Sequence, residues 1–102
     1  MKIIWAGASI SDMEAIRDHI GQDSEHYAAR FVGRIVEAVG ILERFPEIGQ
    51  VVPEFEDVKI RQLIFQNYRI LYQIRTDHLL ILAVIHAGRD LSSLEPRPWN
   101  VS

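Results

Sequence analysis

Cysteine is absent from the 102 residues, which excludes disulfides and every zinc site built on thiolates. Long apolar runs are absent as well. Nothing approaches the roughly 20 residues that a membrane-spanning helix needs. Met1–Ala6 holds one lysine and a short apolar run that stops at Gly7. That is neither a signal peptide nor a span, so a cytoplasmic location is expected. There is no internal repeat and no low-complexity stretch. His19, His26 and His78 lack metal-like spacing and read as surface, so no metal or cofactor is expected. Large excess charge is missing too: 11 basic against 14 acidic side chains leave −3. The distribution is uneven. Residues 1–57 carry 5 basic and 11 acidic groups, giving −6, and residues 58–102 carry 6 and 3, giving +3. The first half is acidic and the second basic. One domain is expected, long enough to bury roughly two-thirds of the unfolded chain's surface.

What the sequence does have is concentrated in residues 58–90. Val58–Phe65 and Tyr68–Ile74 alternate side to side in β-branched and aromatic residues, the period of a strand. Leu79–Ile85 is apolar at every position and reads as a strand covered on both faces. Gln66-Asn67 and Thr76-Asp77 suit tight turns. The segment is therefore an antiparallel meander, closed by His86, Arg89 and Asp90.

Upstream, Lys2–Ala6 is a short β-prone run ended by Gly7. Ile10, Met13, Ile16 and Ile20 recur at helical spacing, with Asp12, Glu14, Arg17 and Asp18 on the wet side. Gly21 stops this helix, and Asp23 or Ser24 caps the next. The second helix runs to about Arg44 on a seam of Ala28, Phe31, Ile35, Ala38, Leu42 and Phe45. Pro46 ends it, and Pro46–Asp57 reads as a loop. After Asp90, Leu91–Glu95 has room for one helical turn, and Pro96-Arg97-Pro98 forces an extended tail carrying Trp99.

The order is β-α-α-β-β-β, an α+β fold with a helical hairpin on one face of an antiparallel sheet. Phe31, Ile35, Leu42, Ile70, Leu80, Leu82 and Val84 are expected to form one core between hairpin and sheet. The hairpin returns the chain to the end where the first strand finished. The second strand then runs opposite to the first, and by alternation Leu79–Ile85 is antiparallel to it.

These pieces together resemble the RelE/ParE superfamily of toxins from type II toxin–antitoxin modules. The matching stretches are IIW with Asp12-Met13 and Ile16 after it, RFVGRIVEAVGILERFPEIGQVVPE, the Arg61 strand, NYRILYQI and ILAVIHAGRDL. They cover about residues 2–91. FPEIG, NYRILY and HAGRDL resemble the ParE branch most.

The resemblance implies a toxin held inactive by a cognate antitoxin, expected to be of ribbon-helix-helix type. ParE-like members bind and poison DNA gyrase without catalysis. RelE-like members cut messenger RNA on the ribosome, which needs a general base, a general acid and cations close together. A third reading is a diverged member that only binds its antitoxin. Arg61, Arg69, His86 and Arg89, with Tyr68 and Tyr72, are the candidates for a nuclease-like group. Arg61, Arg69, His86, Arg89 and Trp99 are the candidates for partner binding.

Plainer roles stand beside these. Arg61 and Arg69 can bond acids of the helices or the loop, Tyr68 and Tyr72 share a parity with core residues, His86 can simply end a strand, Arg89-Asp90 can be a local ion pair, and Trp99 can seal this chain's own sheet edge. A two-residue turn at Gln66-Asn67 would set Arg61 opposite Tyr72 and leave Arg69 on the other face, and a different loop length would reverse this. Arginine stays protonated and is a poor base. Direct nucleic-acid binding is not expected of a chain that is acidic overall.

Overall fold

The computed structural model describes residues 1–55 and 57–89. The expected tail, Leu91–Glu95 and Trp99 included, lies outside the described residues. Strand β1 (Lys2–Trp5) leads directly into helix α1 (Gly7–Gly21), and α2 (Glu25–Gly40) returns beside it. Ser24 caps α2, its Oγ accepting from the Tyr27 amide at 3.1 Å. The helical backbone tightens after Gly40 into a single 3-10 turn, Ile41–Glu43. A short strand β2 (Gln50–Val51) precedes the meander β3 (Ile60–Phe65), β4 (Tyr68–Ile74) and β5 (His78–His86).

The five strands form one sheet in the order β1-β5-β4-β3-β2. The α+β class and the hairpin on one face stand, and β5 is interior as its unbroken apolar run requires. One ladder differs. β1 pairs with β5 in parallel, Lys2 opposite His78 through Trp5 opposite Ile81. The antiparallel expectation miscounted strands. Gln50–Val51 lies within what reads as a loop, yet it pairs antiparallel with β3. It is the strand that runs opposite to β1 after the hairpin, so every later direction reverses.

The expected single core is two. Phe31, Ile35, Leu42, Ile70 and Val84 lie between hairpin and sheet, with Met13, Ile16, Val39, Tyr72, Leu79 and Ile81. Leu82 and Leu80 belong instead to a second cluster, with Val52, Ile60, Leu71, Ala83 and Ile85. The cause is a register shift between β4 and β5. Leu71 faces Ala83 but Tyr72 faces Ile81, so Leu82 is an extra residue on β5. Such a bulge breaks the alternation, and residues on either side of it no longer share a face. Phe55 from the loop packs on this second cluster. The helix seams shift slightly too: Ile10 and Phe45 are exposed and Val39 is buried. The 3-10 turn after Gly40 changes the helical phase and takes Phe45 off the seam.

No helix among the described residues is long and apolar enough to cross a membrane.

Candidate functional site

The Gln66-Asn67 turn sets the site's geometry. Gln66 takes a positive φ of 51°, and the two-residue link puts Phe65 opposite Tyr68. Arg61 then falls opposite Tyr72, and Arg69 opposite Ile64. Alternation sends Arg61 to the hairpin side and Arg69 to the second face.

Arg69 is 6% exposed. Its Nη1 and Nη2 donate to the two carboxylate oxygens of Glu54, each at 2.8 Å. Its Nε donates to Gln62 Oε1 at 2.7 Å, and Nη1 also reaches the Arg89 carbonyl at 3.3 Å. A guanidinium has five N–H donors, and this one is nearly saturated. To meet a phosphate it would first release Glu54, and breaking such a buried pair costs about 3–5 kcal/mol.

Arg61 does a different job. Its Nη1 donates to the Glu47 carbonyl at 3.2 Å and the Gly49 carbonyl at 2.9 Å, and its Nε is buried with no acceptor. An unmet buried donor costs about 1–3 kcal/mol. The same loop is fastened by Tyr72, which is fully buried. The Gly49 amide donates to its hydroxyl at 2.9 Å, and that hydroxyl donates to the Pro46 carbonyl at 2.8 Å. Burial pushes the Tyr72 hydroxyl up from its usual value, with the Gly49 bond and the Arg61 charge pulling back, so it stays a neutral donor. A Cβ on Gly49 would collide with the Tyr72 hydroxyl and lie 2.7 Å from the Gln62 carbonyl oxygen. The FPEIG stretch therefore needs glycine here for close approach.

His86 and Arg89 are exposed at the end of β5. The His86 ring stands edge-on to Tyr68, centroids 5.8 Å apart. Tyr68 meets Phe31 at 5.7 Å, and Phe31 also meets Phe65 at 5.7 Å and Tyr27 at 6.2 Å. This row of edge-to-face rings ties α2 to the sheet. His86 Nδ1 accepts from the Gly88 amide at 3.3 Å. The Arg89 amide donates to the His86 carbonyl at 3.0 Å.

Arg61 thus stands apart from the other two positions, on the opposite face from Arg69. Arg69 meets the His86–Arg89 end at the Arg89 carbonyl. Among the described residues no group of three or more His, Asp or Glu is set to hold a metal.

Asp12 departs from its wet-face reading. Its Oδ2 accepts the Val84 amide at 2.9 Å. β1 stops pairing where the Ala6 amide reaches the Ile81 carbonyl, so the β5 edge beyond faces α1, and Asp12 satisfies a donor there. Burial raises its carboxyl above the ordinary 3.8, with the Val84 bond and the Arg89 charge acting in the opposite direction. Asp12 directly precedes buried Met13, which was the available signal. Glu54 and Gln62 left no signal beyond their charge and parity.

The chain is 30% identical over 89 residues to Toxin RelE2 of Caulobacter vibrioides, covering 86% of this chain and 97% of that protein. Its fold resembles a chain of the chromosomal ParDE toxin–antitoxin system from P. aeruginosa, with a TM-score of 0.74 and 23% identity over 86% of this chain and 97% of that one. It also resembles a chain of the RelBE2 toxin–antitoxin complex from Mycobacterium tuberculosis, with a TM-score of 0.61 and 21% identity over 83% and 95%. At these identities the two structures speak to fold alone. The family model for the ParE toxin of the type II toxin–antitoxin system, parDE, matches residues 3–91. With its sheet, hairpin and motifs in that order, the chain belongs to this family of toxins.

Proposed function

We propose that this toxin inhibits DNA gyrase by binding it, without catalysis of its own, and is neutralised by a cognate antitoxin of ribbon-helix-helix type. The observation that carries the proposal is the separation of the arginines. Phosphodiester cleavage needs a base, an acid and cations converging on one phosphate. Here Arg61 and Arg69 are on opposite faces, and Arg69 is consumed by Glu54 and Gln62. Membership of the ParE family agrees with a target reached by binding. Structures of relatives as toxin–antitoxin systems support the antitoxin as partner.

The second reading is a RelE-like messenger endonuclease. It is favoured by the exposed His86 beside Tyr68 and Arg89, and by the relative named RelE2. Purified protein added to translating ribosomes separates the two. The expected result is no cleavage above background. Cuts within ribosome-bound codons, reduced about a hundredfold or more by His86→Ala or Arg61→Ala, would overturn the proposal.

A further inference from the structure

The far end of the meander from His86 holds a second basic group. β3 begins and β4 ends here, Ile60 opposite Gln73, and the Ile74 amide donates to the Lys59 carbonyl at 2.8 Å. The pairing gathers Lys59, Arg61 and Arg75 around a cleft of about 570 Å³, with Gln73, Thr76 and Glu47 in its wall. Three cations face one carboxylate. Among the described residues none of the three cations is in an ion pair. Two further acids lie nearby in sequence: Asp57 Oδ1 accepts the Lys59 amide at 2.9 Å, and Asp77 Oδ1 is hydrogen-bonded to His78 Nδ1 at 2.7 Å. Arg75 gives its Nε to Gln73 Oε1 at 2.9 Å. Glu47 also lines an adjoining apolar hollow with Phe45 and Ile48. Phe45, Ile48 and Val58 are each more than half exposed.

We infer that this cleft binds a carboxylate side chain of an acidic, amphipathic protein segment, whose apolar residues rest on Phe45, Ile48 and Val58. Cations with no ion-pair partner among the described residues, set beside uncovered apolar side chains, complement such a segment in both respects. A nucleic acid fits less well: it carries a charge at every phosphate, and the chain it would track is acidic overall, at −3. The inference rests on the partner reading only for the source of the segment, the antitoxin. Binding at the cleft does not depend on gyrase.

The test is fluorescence anisotropy with a labelled, C-terminally amidated peptide of glutamate and leucine, together with its glutamine-for-glutamate counterpart and a single-stranded RNA competitor. The full chain is compared with the double variant Lys59→Gln, Arg75→Gln, whose melting temperature is checked first. Lys59→Gln alone serves if the pair does not fold. The acidic peptide should bind wild type, lose about tenfold or more in the variant, and exceed the glutamine peptide by a similar factor. The Arg61 Nε–Hε resonance should shift on titration, and RNA should not compete. Equal affinity of wild type and variant, no binding of the acidic peptide to wild type, or displacement by RNA would overturn the inference. The assay contains neither gyrase nor ribosomes, so its outcome is separate from that of the proposed function.

Discussion

Tyr72 secures the loop after the helices through a single oxygen that accepts from Gly49 and donates to Pro46. Tyr72→Phe leaves the Gly49 amide buried without a partner. It should cost about 1–3 kcal/mol in urea melts, and a loss below about 0.5 kcal/mol would show that the latch carries little of the loop. Asp12 gives a pH signature. Its carboxyl titrates above 3.8 in the fold because of burial. A group whose pKa rises on folding lends stability that is full below its unfolded pKa and is lost as pH climbs through the raised value. Asp12→Asn keeps an oxygen for the Val84 amide and does not ionise. The wild type should therefore lose stability relative to Asp12→Asn as pH rises from 3.8. Denaturant melts at a series of pH values would contradict this by showing a constant difference or one of opposite sign.

At the scale of elements, the β5 bulge decides which residues share a face. Leu82 is fully buried in the second cluster, so Leu82→Ala should cost about 2–5 kcal/mol from lost burial and the cavity left behind. A cost under about 1 kcal/mol would contradict the tight packing of that face. Much of this level was legible beforehand. The alternation of Tyr68–Ile74, the unbroken run of Leu79–Ile85 and the Gln66-Asn67 turn led to β3, β4 and β5 because burial and period act locally. The placing of Arg61 opposite Tyr72 was one of two outcomes left open by the sequence, and the two-residue turn decides it. Three features were not legible. β2 is two residues long and stabilised by its partner, not by its own composition. The bulge at Leu82 arises within an apolar run with no polar residue to mark it. The Arg69–Glu54 pair joins residues 15 apart across a loop, and charge alone does not say which acid an arginine meets.

For the whole molecule, three basic positions are divided among different places. Arg69 is spent inside the second face, Arg61 shares the cleft with Lys59 and Arg75, and Arg89 stands near Asp12 at the other end of the sheet. With Arg69 held by Glu54 and Gln62 and Arg61 by the loop carbonyls, few cations are left to converge on one phosphate, which supports the proposal of a toxin acting by binding. The most direct measurement is the supercoiling of relaxed plasmid by purified gyrase as this protein is titrated in. The account predicts dose-dependent inhibition at protein concentrations stoichiometric with the enzyme, relieved by adding the cognate antitoxin. Full supercoiling activity in the presence of a large excess of folded protein would contradict it.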